Sequence, residues 1–247
     1  MPILHAWSGS ITANPMQFPE ARILLFCRAP VAGQVKTRLA RTIGNEAAVR
    51  WHQALAEHCL NTIVPAQLAP LQLWCSPDIH AEFFSRQQAQ FSLTLHGQSG
   101  PDLGARMSHA FDVALDDAEY ALVIGSDCPA LSADYLYQAL TALRDGAPAV
   151  IGPAEDGGYV MLGQRRNHHS LFEDMPWGTC AVFEKTCQRM NDGYLALAPL
   201  WDVDVVEDLQ RLKREAACLP LSDELKACLS QIDKPLNPLS LASKKRE

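Results

Sequence analysis

Ile23-Leu24-Leu25-Phe26-Cys27, followed by Arg28-Ala29-Pro30-Val31-Ala32-Gly33-Gln34-Val35-Lys36-Thr37-Arg38, is the stretch that decides the fold. The apolar run is short and unbroken, which suits a central strand buried on both faces rather than an amphipathic edge. The Pro/Gly loop from Ala29 to Gln34 then ends the strand, and the cations behind it lead into a helix start. A doubly buried strand needs a layer on each side, so the rest of the chain should alternate helices with further strands.

The remaining periodicities agree. After Gly44, Asn45 can cap a helix in which Ala48, Trp51, Leu55, Cys59 and Ile63 share one face. Residues 71–75 read as a strand, 78–88 as a short helix, and 91–95 as a strand with period-two alternation. A helix over residues 102–115 carries Leu103, Met107, Ala110, Phe111 and Ala114 on one face, and Ala121-Leu122-Val123-Ile124 makes the next strand. Ser132 can cap a helix with Leu136, Ala139, Leu140 and Leu143 inward, and residues 147–151 form another strand. Beyond residue 153 the pattern weakens to a strand at 159–162, an irregular segment at 168–180 and a helix over 205–214. The prediction is a three-layer α/β/α domain with a mostly parallel mixed sheet over residues 21–215. Residues 1–20 form an N-terminal arm that Trp7 and Phe18 can dock, and residues 216–247, ending in Lys244-Lys245-Arg246, form a partly disordered extension.

Composition bounds the function. With 247 residues, 48% of them apolar, there is ample material for one large core. A formal net charge of -7 disfavours a duplex nucleic-acid partner, which demands a cationic surface. The eight cysteines lack a C-x-x-C pair and read as reduced thiols. The N-terminus lacks the features of a secretory signal and no run is long enough for a membrane helix, so a cytoplasmic protein without a membrane span is expected.

Ligands of open α/β sheets bind at the carboxyl ends of strands, which directs attention to the loops after Cys27 and Ile124. The first combines Gly33 with Lys36 and Arg38, which can neutralise phosphate, although the glycine of a Walker loop is missing; solvated surface cations are the bland account. The second, Gly125-Ser126-Asp127-Cys128-Pro129, sets Asp127 directly after a buried strand. A hard divalent cation, Mg2+ or Mn2+, would supply its partner, whereas a helix cap or turn is the plain alternative. In Trp201-Asp202-Val203-Asp204-Val205 two aspartates project to one side if extended, and Asp204 is a second ligand or an N-cap. Glu155-Asp156-Gly157-Gly158-Tyr159 is a hairpin turn or a loop facing the metal, where Asp156 or Glu155 can act as general base. Trp177 can wall an acceptor pocket or anchor the irregular segment. His168-His169 has no metal-ligand spacing.

Taken in order, four blocks resemble the DUF2064 or selenodomain-associated transferase 1 family, glycosyltransferases of GT-A type. They are Phe26 to Leu39, Gly104-Ala105-Arg106-Met107, Gly125 to Pro129 with Leu131, and Asp156-Gly157-Gly158-Tyr159, with Trp201 to Leu209 as a looser fifth. The resemblance implies a nucleotide-diphospho-sugar transferase fold with the nucleotide over the carboxyl ends of the first strands. It implies Asp127 as the metal-binding aspartate, although Gly-Ser-Asp-Cys-Pro is not the usual Asp-x-Asp, and Asp204 as a second ligand from the far end of the domain. Ala29, Pro30, Gly33, Lys36, Arg38 and Ser126 then bind nucleotide or phosphate, while Gly157, Gly158, Tyr159 and Trp177 border the acceptor.

The expected activity is metal-dependent glycosyl transfer from a nucleoside-diphosphate-sugar to a small-molecule acceptor. The first loop is also similar to those of molybdenum-cofactor and phospholactate nucleotidyltransferases, so the alternative is attack on a nucleoside triphosphate with release of pyrophosphate. A non-catalytic nucleotide-binding protein is the third possibility.

Overall fold

β1 (Ala21–Arg28) divides its side chains between two cores, with Ile23, Leu25 and Cys27 in one apolar cluster and Leu24 and Phe26 in another. This alternation is what burial on both faces of a strand requires. The computed structural model describes residues 16–191 and 193–231. Trp7 and the Lys244-Lys245-Arg246 tail lie outside the described residues. Phe18 is fully buried, and its N–H donates to the carbonyl of Leu68 at 2.7 Å.

β1 pairs in parallel with β2 (Leu71–Ser76) on one side and β4 (Tyr120–Gly125) on the other, and β3 (Thr94–Gly97) extends the first half beyond β2. β6 (Tyr159–Gln164) pairs antiparallel with β4 and with β5 (Ala149–Pro153), and β7 (Tyr194–Ala196) lies parallel to β5. The sheet order is β3-β2-β1-β4-β6-β5-β7, and within it only β6 runs against the rest. Connections from β1 and from β4 proceed in opposite directions across the sheet, which opens a crevice above the carboxyl ends of these two strands.

α1 (Thr37–Ile43) follows the first loop. α2 (Asn45–Ala66), α3 (Glu82–Phe91) and α5 (Ala133–Arg144) fill one face, and α4 (Leu103–Leu115) with α6 (Val182–Met190) the other. The three-layer α/β/α architecture is therefore the one expected. A third apolar cluster matters more for the crevice. It joins Leu39 of α1 and Leu55 of α2 to Trp201, Val203, Leu209 and Leu212, the last two on α7 (Val206–Glu215), and to Leu225 of α8 (Asp223–Leu229). Each fully buried leucine contributes about 2 kcal/mol of transfer free energy, so this cluster fastens the chain's late segment against the first loop.

Local chemistry moves several boundaries. Ser132 caps α5 as expected, accepting from Tyr135 N–H. Gly44, rather than Asn45, is the N-cap of α2. The run at residues 91–95 is split: Phe91 closes α3, Ser92 takes the left-handed conformation with φ 53°, and β3 begins at Thr94. The start of the predicted helix at 78–88 is instead a turn in which the Asp78 carboxylate accepts from His80 N–H at 2.9 Å. The segment read as irregular contains a short 3-10 turn, His169–Leu171.

Candidate functional site

The crevice over β1 and β4 is lined by Arg28, Lys36, Arg38 and His52 together with Asp127 and Asp204, and encloses about 220 Å³. Lys36 occupies the N-cap of α1 in the left-handed region, φ 45° and ψ 45°, a conformation that costs a non-glycine residue about 1–2 kcal/mol. The turn carries its side chain back into the protein, where the residue is 8% exposed. Its ammonium lies 2.9 Å from Asp127 Oδ2 and 3.7 Å from Asp204 Oδ1. Arg38, one helical position beyond Thr37, pairs from the open side with Asp204 Oδ2 at 3.0 Å.

The late acidic run reaches Asp127 through its backbone. Val203 is fully buried in the third cluster, and its N–H donates to the carbonyl oxygen of Asp127 at 3.1 Å. The flanking Asp202 and Asp204 are thereby held beside the β4 loop. Helix capping does not consume Asp204: the side chain of Asp208 accepts from the N–H groups of Asp204 and Val205, both at 2.8 Å, and performs that task at the start of α7.

Burial pushes the Asp127 carboxyl up, but the Lys36 ammonium outweighs it and holds the group below its ordinary value. Lys36 is itself raised, burial being more than offset by Asp127 and Asp204. Asp202 behaves differently. Burial first, and then the neighbouring Asp156 charge, push it up to about 6, with Asp127 and Asp204 adding to the effect. Asp202 therefore lies close to the carboxylates of Asp156, Asp127 and Asp204.

His52 completes this wall, and sequence reasoning missed it. It lies on the inward side of α2, 4% exposed, with Nε2 2.7 Å from the Arg28 carbonyl oxygen. A carbonyl only accepts, so Nε2 donates. Nδ1 then faces Asp127 Oδ1 at 3.8 Å, and both of these buried atoms have no hydrogen-bond partner. The legible signal was a histidine one residue beyond Trp51, inside the apolar stripe of a long helix.

These groups fit a hard divalent cation. The carboxylates supply anionic oxygen, and Asp127 Oδ1 is a buried acceptor with no partner, although the far oxygen of the same carboxylate opens to the cleft. Among the described residues no three metal-ligating side chains converge on one point. That is compatible with Mg2+ or Mn2+, which commonly take one or two carboxylates and draw their remaining ligands from phosphate and water.

Other predicted residues lie elsewhere. Ala29 is buried in the core, Ser126 is buried with its hydroxyl on the Cys27 thiol, Pro30 is half-buried, and Gly33 is exposed with φ 77°. None of the four lines the cleft. Asp156 accepts from Gly158 N–H at 2.9 Å and so closes its own turn, one carboxylate oxygen remaining open. Glu155 is held by Arg211 at 2.5 and 3.0 Å, and Arg211 stacks on Trp201 at 4.4 Å, locking this loop to α7. Gly157 adopts φ 91° with its Cα so close to Cys180 that a Cβ would stand 2.3 Å from the carbonyl oxygen. Tyr159 meets Trp177 edge-on at 6.4 Å, and Trp177 in turn covers Gly104 at the start of α4. The paired glycines, Tyr159 and Trp177 are thus one packed unit. His169 hydrogen-bonds Ser108 at 2.9 Å on the surface, apart from the cleft lining.

Comparison with known proteins bears on the family and the fold. Residues 59–179 match the family described as uncharacterized protein conserved in bacteria, DUF2064. No curated protein matches the chain. A solved structure from Desulfovibrio desulfuricans G20, provisionally assigned as a nucleotide-diphospho-sugar transferase, superposes with a TM-score of 0.79 at 31% identity, covering 87% of this chain and 96% of that one. More distant likenesses show the fold alone. The 4-diphosphocytidyl-2C-methyl-D-erythritol synthase of Anaerococcus prevotii DSM 20548 gives a TM-score of 0.53 at 9% identity over 87% of this chain and 98% of its own. The glucosyl-3-phosphoglycerate synthase of Mycobacterium tuberculosis, solved with Mn2+, UDP and glucosyl-3-phosphoglycerate, gives 0.50 at 10% identity over 86% and 80%.

Proposed function

From the premise that the chain belongs to the DUF2064 family and has the nucleotide-diphospho-sugar transferase fold, we propose that it is a metal-dependent glycosyltransferase that uses a nucleoside-diphosphate-sugar. One observation carries this reading: the Lys36 and Arg38 cations and the Asp127 and Asp204 carboxylates meet in one crevice over β1 and β4. Asp127 and Asp204 would hold Mg2+ or Mn2+, which when bound supplies charge neutralisation for the departing nucleoside diphosphate. Lys36 and Arg38 bind the diphosphate oxygens from the other wall and stabilise the charge that develops as the sugar leaves. Acceptor binding falls to the unit of Gly157, Gly158, Tyr159 and Trp177. Asp156, whose second carboxylate oxygen is open, takes the acceptor's proton.

The Arg28 side chain favours a second reading. It adds a further cation to the same wall, enough positive charge for a triphosphate, and nucleotidyl transfer would then release pyrophosphate. The eight free thiols suit the reducing cytoplasm, where activated nucleotides are available.

A thermal-shift screen of nucleoside-diphosphate-sugars and nucleoside triphosphates, each with and without Mg2+ or Mn2+, followed by product analysis, tests the proposal. Metal-dependent stabilisation by a nucleotide-sugar and release of a nucleoside diphosphate support it. Stabilisation by a triphosphate with pyrophosphate release selects the second reading, and tight binding with no product from any acceptor selects a non-catalytic protein.

A further inference from the structure

Two histidines lie on the buried side of α2, and they differ in one respect. His58 is satisfied at both ring nitrogens: Nε2 donates to the Pro129 carbonyl at 3.1 Å, and Nδ1 accepts from Ser222 N–H at 3.2 Å. That ring joins α2 to the β4 loop and the segment before α8, and needs nothing more. His52 is satisfied at one. Its Nε2 is committed to the Arg28 carbonyl at 2.7 Å, so the neutral ring turns a lone pair from Nδ1 toward the lone pairs of Asp127 Oδ1, 3.8 Å away. Both atoms are buried and unpartnered. Two acceptors facing each other out of water repel, and buried acceptors left unmade are costly. A cation between them would remove both penalties at once.

We propose that His52 Nδ1 is a protein ligand of the divalent cation, adjacent to Asp127 Oδ1, and that it biases the site toward Mn2+ over Mg2+. The proposal rests on the reading of Asp127 as the central metal ligand and sets His52 beside it in the place given above to Asp204, which keeps its contacts with Lys36 and Arg38. The separation suits it, because two ligands each about 2.1 Å from one ion stand no more than about 4 Å apart. The protein also divides the carboxylate between two tasks: Oδ2 is engaged by Lys36 at 2.9 Å, whereas Oδ1 is the atom that His52 faces. A cation on the Oδ1 edge therefore leaves the Lys36 contact in place. The Nε2 bond to Arg28 fixes the ring's orientation and tautomer, which is how metal-ligating histidines are ordinarily held. An imidazole nitrogen favours manganese and its softer neighbours, whereas magnesium prefers oxygen throughout.

The test is Mn2+ binding by untagged protein in the presence of inorganic pyrophosphate, followed by pulsed electron paramagnetic resonance. In the wild type we expect bound Mn2+ with directly coordinated nitrogen, and affinity about tenfold or more above that for Mg2+. His52→Gln keeps a donor where Nε2 stood and removes the Nδ1 ligand. It should abolish the nitrogen coupling, weaken Mn2+ about tenfold or more, and remove the preference over Mg2+. Bound Mn2+ that is lost in Asp127→Asn but shows no nitrogen coupling in the wild type would overturn the role of His52 while sparing Asp127. Failure of the wild type to bind Mn2+ with pyrophosphate would overturn both. The wild-type spectrum decides the matter even if the glutamine variant folds poorly.

Discussion

Lys36 and Asp127 meet at 2.9 Å across the crevice, with the lysine side chain 3% exposed and the carboxylate open along one edge. Lys36 therefore serves two partners. In the free protein its ammonium balances Asp127 and Asp204, and with donor bound the same group can turn to a phosphate.

Lys36→Ala should expose this balance. The carboxylate left behind is half-exposed, so the loss costs less than the ~3–5 kcal/mol of a fully buried pair, and alanine keeps the strained left-handed turn. The vacated space lies between two carboxylates, so millimolar Mg2+ or Mn2+ alone should raise the variant's melting temperature more than the wild type's, while affinity for any phosphate-bearing ligand falls. Equal responses to metal in the two proteins would show that the ammonium does not stand between the acids.

Asp202 gives a pH signature. Its folded-state pKa is about 6, above the roughly 3.9 of an unfolded aspartate. Between these values the folded protein holds a proton that the unfolded chain has released, so stability falls as pH rises through this window. The full effect of the shift is about 2–3 kcal/mol, reduced by partial exposure. Asp202→Asn should thus be more stable than the wild type at pH 7.5 without metal and close to it below pH 4. Added divalent cation should narrow the difference at pH 7.5, since it favours the ionised carboxylate. Parallel pH-stability curves for the two proteins would contradict the assignment.

Gly104→Ala separates the acceptor wall from the donor site. The new Cβ would stand 2.6 Å from Trp177 Cζ2 and 2.8 Å from the Phe172 carbonyl oxygen, and overpacking of this kind costs about 1–3 kcal/mol. Tryptophan fluorescence should shift as the indole moves, whereas stabilisation by nucleotide and metal should persist. An unchanged spectrum would mean that Trp177 is not seated on α4.

Much of this architecture was readable from local pattern. β1 and β4 are continuous apolar runs, and α4 and α5 show helical spacing, because burial on both faces of a strand or on one side of a helix is written in the element's own periodicity. Lys36, Arg38 and Asp127 stood out as charges after buried strands, and Asp204 as part of an acidic run where a helix begins. What sequence could not show was contact made through distant chain. Whether Asp204 capped α7 or faced the cleft turned on Asp208, whose carboxylate takes both free N–H groups. His52 looked like any residue in an apolar stripe until the Arg28 carbonyl and Asp127 came to opposite sides of its ring. Ser126 lay beside the key aspartate in sequence, yet just beyond β4 it turns toward Cys27. The slip at β3 came from Ser92, a residue without glycine's freedom that nevertheless takes the left-handed turn.

The central claim is that Asp127 holds a divalent cation for the nucleotide. The most direct test is the melting temperature of the wild type and of Asp127→Asn with nucleotide, with metal, and with both. In the wild type, metal and nucleotide together should stabilise by about 2–4 kcal/mol at saturating concentration, well beyond either alone. The variant, measured against its own unliganded value, should lose that metal-dependent increment and still unfold cooperatively. A variant that keeps the full increment would contradict the account.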